Sequence, residues 1–270
     1  MAQPYRSIGK SYYVATKRLV SAMECYGLKL MLLCPIVSPE FKKLSESQAR
    51  SVCRQDVDLE VVGIESGPAS IESTYESVMA EPFAVEKIIE AEKHGFDAVA
   101  ITCMCDCGLH SGREQVNIPV TSALESSVLL ASALGLKFSI VTIADSLTPL
   151  FLRNLRSIGV ESNLASIRSV DIPVLELQSD VEKTREALLR ESKEAIEKDG
   201  AHVIILGCTG MTGMAQWLKE KIHLPVIDGL EAAVKLAEVL VDMGLSQSKR
   251  TYPKPPVKEI RGVYKRLVTA

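Results

Sequence analysis

The 270-residue chain has no excess of one charge: 31 Lys and Arg face 34 Asp and Glu, for a net charge of −3. That argues against a dedicated polyanion binder. It also lacks a long apolar run. Its longest stretch free of Asp, Glu, Lys and Arg, residues 200–218, is interrupted by His202, Gln216 and four glycines and is no membrane span. Seven cysteines are too sparse, and odd in number, for a disulfide scaffold. No apolar h-region follows Lys10, Lys17 and Arg18, so no secretory leader is expected, and a reduced, cytoplasmic, water-soluble protein is the expectation. The four histidines form no motif, although His110 lies close to Cys103 in sequence. What is present is an ordinary globular balance, 47% apolar and 24% charged, which excludes disorder and collagen-like repeats.

Short apolar runs at 28–37, 57–64, 98–103, 138–143 and 203–206 read as buried strands, bounded by Gly, Pro or charge. Helical periodicity marks 82–94, 123–134, 147–158, 181–198 and 230–243. Strands alternating with helices predict an α/β chain with mostly parallel sheets. Runs such as Val203-Ile204-Ile205-Leu206, apolar on both faces, suit central parallel strands. The ends differ from the middle. Residues 246–270 carry a net charge of +6 and prolines at 253, 255 and 256, and read as a solvated basic tail lying on the acidic body or on a neighbouring subunit rather than a nucleic-acid arm. Residues 1–26 read as an extension with one helix around 11–25.

The chain contains itself twice. Gly27-Leu28-Lys29-Leu30 parallels Gly135-Leu136-Lys137-Phe138 at an offset of 108 residues. Glu92-Lys93-His94-Gly95, followed by Cys103, parallels Glu197-Lys198-Asp199-Gly200, followed by Cys208, at an offset of 105. Ile118-Pro119-Val120 with Leu124-Glu125 parallels Leu224-Pro225-Val226 with Leu230-Glu231 at an offset of 106. Two similar lobes related by a pseudo-twofold axis are therefore expected: 27–122 plus 230–245, and 123–229. Each places a cysteine at the carboxyl end of a strand, where open parallel sheets bind ligands. Cys103 and Cys208 would then face one another across a cleft between the lobes.

A thiolate and a thiol flanking one carbon can remove a proton from one face and deliver one to the other, which is racemisation by general acid–base chemistry. The thiolate needs support from backbone N–H groups at helix starts. Asp106 is expected to cap a helix starting near Gly108, and Thr209 or Thr212 one starting near Gly213. The hydroxyls of Thr142 and Thr209 are candidate donors to an enolate. Cys25, Cys34 and Cys53 read as small core residues. Cys103, Cys105 and Cys107 invite a metal- or redox-sensing reading instead, but no second pair accompanies them as structural zinc requires, so no metal is expected.

At these residues the chain resembles the aspartate/glutamate/hydantoin racemase superfamily, in its hydantoin and allantoin racemase branch. Gly67-Pro68-Ala69-Ser70-Ile71-Glu72-Ser73, with Tyr75, is similar to that branch's GPxSIExxYD segment. Cys103-Met104-Cys105-Asp106-Cys107-Gly108-Leu109 is similar to its CFGDPGL segment. Ser139-Ile140-Val141-Thr142, Leu206-Gly207-Cys208-Thr209-Gly210-Met211 and Pro225-Val226-Ile227-Asp228-Gly229 fit its later motifs. The resemblance implies two Rossmann-like lobes, cofactor-independent catalysis by Cys103 and Cys208, and a homo-oligomer. Cys34-Pro35-Ile36-Val37-Ser38 stands where the family has an NPNTS loop, which implies a more apolar or differently shaped pocket.

The function expected is inversion of a carbon next to a carbonyl, in a hydantoin- or allantoin-like ureide or an amino-acid derivative. Besides the two cysteines, Ser38, Pro68, Met104, Asp106, Thr142, Thr209 and Gly210 are the expected substrate-binding residues. The partner expected is a small molecule, with no cofactor, nucleic acid or membrane. A decarboxylase, a cis–trans isomerase or an Asp/Glu-type amino-acid racemase on the same scaffold are the alternatives.

Overall fold

The computed structural model describes residues 27–256. The helix expected around 11–25, with Cys25, and the tail beyond residue 256 lie outside the described residues.

Two four-stranded parallel sheets carry the fold. The first runs β2-β1-β3-β4, with β1 at Lys29–Cys34, β2 at Asp58–Gly63, β3 at Ala98–Ile101 and β4 at Val120–Ser122. The second runs β6-β5-β7-β8, with β5 at Phe138–Thr142, β6 at Leu164–Ser169, β7 at Val203–Leu206 and β8 at Val226–Ile227. The order is the same in both, and so is the register of the central strands, although β5 and β6 slip by one residue after Phe138 where β1 and β2 do not. Leu30 pairs with Ala98 and Leu33 with Ile101; Phe138 pairs with Val203 and Val141 with Leu206. The internal repeat thus extends to the matching of individual residues across the central strands. These central segments are buried on both faces, as their unbroken apolar composition requires.

Eight α-helices cover the sheets among the described residues: α1 Pro39–Val52, α2 Thr74–Lys93, α3 Leu109–Gln115, α4 Ala123–Leu134, α5 Thr148–Ile158, α6 Val181–Glu197, α7 Ala215–Ile222 and α8 Gly229–Asp242. The sequence placed the start of α2 at Pro82, but the helix begins two turns earlier. Ser73 Oγ accepts from the Glu76 N–H at 3.2 Å, and Glu76 Oε2 accepts from Ser73 Oγ and the Glu72 N–H, a capping box that outweighs the interior proline. Both α2 and α6 end on a glycine at φ +76, Gly95 and Gly200. This left-handed residue lets the Phe96 N–H reach the Ala91 carbonyl (3.1 Å) and the Ala201 N–H reach that of Ala195 (3.0 Å), which aims the chain into β3 and β7.

Helix α8, at the end of the chain, packs on α1, β3 and β4 of the first sheet. Helix α4 leads from the first sheet into the second and lies against β7; α4 and α8 pack on each other as a seam between the halves. No helix among the described residues is long and apolar enough to cross a membrane.

Candidate active site

The carboxyl ends of β3 and β7 open into one cavity of about 420 Å³, part of it open to solvent. Cys103 follows β3, Cys208 follows β7, and both line it. The other walls are Pro35, Ile36, Phe41, Ile71, Thr102, Met104, Cys105, Ile143, Leu147, Val174, Gly207 and Thr209, with no charged side chain among them. Pro35 and Ile36 belong to the loop that the sequence marked as shaping the pocket, whereas Phe41, Ile143, Leu147 and Val174 look like core in the sequence and carried no signal that set them apart.

The two loops are tied across the cleft. Thr209 Oγ1 donates to the Thr102 carbonyl at 3.2 Å, and Asn154 Nδ2, from α5, donates to the Cys105 carbonyl at 3.1 Å. Glu72 accepts from the Val174 N–H at 3.3 Å through Oε1, and Ser146 Oγ donates to the Glu72 carbonyl at 3.3 Å. These bonds fix both strand ends against one another.

The two sulfurs differ in their surroundings. Cys103 Sγ accepts from the Cys105 N–H at 3.4 Å and lies 3.8 Å from Cys107 Sγ. Hydrogen bonding from the Cys105 and Cys107 thiols, aided by their backbone amides, holds the Cys103 thiol well below its usual pKa, against the burial that opposes ionisation. Around Cys208 the balance is reversed. Burial pushes its thiol up to about 12; the Gly210 N–H, 3.3 Å from the sulfur, opposes this, while the charges of Cys103 and Glu72 add to it. The two environments thus favour ionisation of Cys103 and oppose that of Cys208.

Of the other residues singled out in the sequence, Met104 and Thr209 line the cavity. Gly210 touches the site through its N–H to Cys208. Ser38 caps α1 by accepting from the Phe41 N–H at 3.2 Å. The Pro68 carbonyl accepts from the Val37 N–H at 3.0 Å and so braces the Ile36 wall. Thr142 is buried beneath the site and donates to the Gly207 carbonyl at 3.2 Å. Asp106 is not among the lining residues. Its carboxylate accepts from Ser122 Oγ and from the Leu124 and Glu125 N–H groups (3.0 and 3.2 Å), so it caps α4 and not the helix near Gly108, where Gly108 itself is the cap. The residue is buried, which raises its pKa to about 8.

Helix α7 starts at Met214 without a side-chain cap, and Thr212 instead donates to Asp228 at 2.8 Å. His110 is exposed and stacks on Tyr252 of the tail, away from the cavity. Thr102, which sequence reading passed over, has a buried hydroxyl without a hydrogen-bond partner among the described residues, and it lines the cavity. Among those residues, no group of three or more His, Cys, Asp or Glu side chains is arranged to hold a metal ion.

Two parallel lobes with a thiol at each facing strand end define a racemase-type α/β isomerase. The chain belongs to the Asp/Glu/hydantoin racemase family, whose model matches residues 37–237. Within that family it sides with the hydantoin and allantoin racemases. It is 39% identical to a hydantoin racemase from Pseudomonas sp. (strain NS671) over 87% of this chain and 95% of that protein. The solved allantoin racemase from Klebsiella pneumoniae superposes with a TM-score of 0.86 at 30% identity, covering 90% of this chain and all of that one. The allantoin racemase from Pseudomonas fluorescens gives 0.83 at 33% identity, over 87% of this chain and 100% of that one.

Proposed function

We propose that the protein racemises neutral hydantoins bearing an apolar substituent on the reacting carbon, with Cys103 and Cys208 as the base and acid and without a cofactor. The observation that carries this reading is the pairing of two unlike sulfurs in one cavity without charged walls. A zwitterionic amino acid would leave its ammonium and carboxylate unpaired there, at a cost of several kcal/mol per ion. A hydantoin presents no charge, and its ring carbonyl acidifies the adjacent C–H. The Cys103 thiolate takes that proton, and the electron pair moves onto the carbonyl oxygen as an enolate. The Cys208 thiol then protonates the opposite face and is left as the thiolate. No electrons are gained or lost, so no redox partner is needed. The unpartnered Thr102 hydroxyl is the group we assign to a polar atom of the ring.

The test follows solvent deuterium entering the reacting carbon of enantiopure 5-isobutylhydantoin and 5-benzylhydantoin, beside leucine, aspartate, an aryl malonate and maleate. Hydantoins are expected to exchange and lose optical rotation, and Cys103→Ala and Cys208→Ala to lower racemisation about a thousandfold each. Full activity in either variant overturns the two-thiol mechanism. Turnover confined to leucine or aspartate, or to the malonate or maleate, overturns the substrate assignment.

A further inference from the structure

The segment after β3 holds three thiols where a two-thiol mechanism uses one. Cys107 is buried, with 2% of its surface exposed, and lies outside the cavity wall. Its sulfur is 3.8 Å from Cys103 Sγ on one side and 3.2 Å from Ser77 Oγ on the other. Ser77 sits near the start of α2 and is buried as well. Three polar side chains from two separate elements thus form a row that ends on the sulfur facing the cleft.

We propose that Ser77 and Cys107 are positioning residues that keep Cys103 ionised through a buried donor chain, Ser77 O–H to Cys107 Sγ and Cys107 S–H to Cys103 Sγ. An anionic sulfur fixes the direction of the chain. A thiolate can only accept, so the Cys107 proton turns toward it, which frees the Cys107 lone pairs to accept from serine. Such donors reinforce one another, and with both groups buried the interaction escapes competition from water. Hydrogen bonds to an ionised acceptor are about twice as strong as neutral ones. The direction of the Cys107 pKa fits: its hydrogen bond to Cys103 is the first cause holding it well above an ordinary thiol, and the Ser77 contact works the other way. Cys208 has no counterpart to this chain, its sulfur receiving the single N–H of Gly210. The donor row thus adds to the Cys105 thiol in making the two sulfurs unlike.

This inference rests on Cys103 being the base, and its test needs no substrate. The rate of Cys103 carbamidomethylation by iodoacetamide, read by mass spectrometry of its peptide, is measured from pH 5 to 10. The wild-type midpoint is expected below the roughly 8.5 of a free thiol. Cys107→Ala is expected to raise it by about one pH unit, making the reaction about tenfold slower at pH 5, below both midpoints. Ser77→Ala should slow it about threefold, and Cys107→Ser, which restores a donor, should return most of the loss. A wild-type midpoint at or above 8.5, or a folded Cys107→Ala with the wild-type midpoint, overturns the proposal. If Cys107→Ala does not fold, an unchanged midpoint in Ser77→Ala does so. A low midpoint that moves in these variants supports the donor chain whether or not any hydantoin turns over, so the two readings fail separately.

Discussion

The loops running from Cys103 to Gly108 and from Cys208 to Gly213 have the same length and the same role. Both end on a left-handed glycine, at φ +80 and +82. Between those fixed points both sulfurs accept from the N–H two residues on, at 3.4 Å from Cys105 and 3.3 Å from Gly210. The first thiol sits in addition among two other thiols, and here the copies part. Before the thiol stands Thr102 in one copy and Gly207 in the other. An added Cβ at Gly207 would come within 2.8 Å of Ile140 and Thr142.

The joint between each loop and the following strand-to-helix corner is made by an acid and a hydroxyl in opposite orders. Asp106 accepts from Ser122 in the first half, whereas Thr212 donates to Asp228 in the second. At the 105-residue offset that matches Cys103 to Cys208 and Gly108 to Gly213, Asp106 corresponds to Met211, one residue before Thr212, whereas Ser122 corresponds to Asp228 at the 106-residue offset of the following corner. The same two segments are thus joined in both halves, with acid and hydroxyl exchanged and the loop partner standing one position later in the second. What differs is the surroundings of the two sulfurs, which lower the Cys103 pKa and raise that of Cys208.

Breaking the joint is expected to have the largest effect. Asp228→Ala leaves the Thr212 hydroxyl and the Gly213 and Leu230 N–H groups without their acceptor. The expected cost is about 3 kcal/mol, read as a melting temperature lower by about 8 °C. Asp106→Ala should behave alike. Combining Asp106→Thr with Ser122→Asp exchanges acid and hydroxyl within the first joint and should recover most of the loss; no recovery would show that the one-residue difference in the loop partner fixes which end carries the acid.

The residues before the thiols come next. Gly207→Ala should cost about 2 kcal/mol because the strands must part to admit the methyl. Thr102→Val should leave the melting temperature within about 1 °C and raise KM for a hydantoin roughly tenfold, the worth of one hydrogen bond. A lower melting temperature with unchanged KM would assign the Thr102 hydroxyl to structure.

The smallest effect concerns pH. Because burial raises the Asp106 pKa to about 8, the native state prefers the protonated acid. Its contribution to stability is complete below about pH 4 and is lost as pH rises toward 8. Asp106→Asn should therefore flatten melting temperature against pH over that interval by a few degrees. A residual slope from Asp228 and Glu231, whose pKa values are also raised by burial, should remain. An unchanged profile would place the ionised form in the native state.

Much of this arrangement was legible in the sequence because the repeat is punctuated by residues with strict conformational or chemical meaning. The Gly95 and Gly200 helix ends, the thiols after them and the prolines before β4 and β8 survive in register. What escaped notice has weak patterning. Helix α1 buries Phe41, Ser45 and Ala49, only one of them large and apolar. Edge strand β6 is half-exposed along its length and includes Ser166, Arg168 and Ser169, and β4 and β8 are three and two residues long. The cysteine pair stood out by position, whereas the walls of the cavity come from six separate segments. The Asp106 carboxylate finds its partners 16 to 19 residues ahead, and Cys107 meets Ser77 thirty residues back, so composition gives no hint of either.

Neither half can drift into the other's acid–hydroxyl arrangement one substitution at a time. An acid at both positions would crowd two carboxyl groups against the same helix start, and a hydroxyl at both would leave the turn's amides without their carboxyl acceptor. Grafting a strand-end loop from one lobe to the other therefore requires carrying the first turn of its helix along.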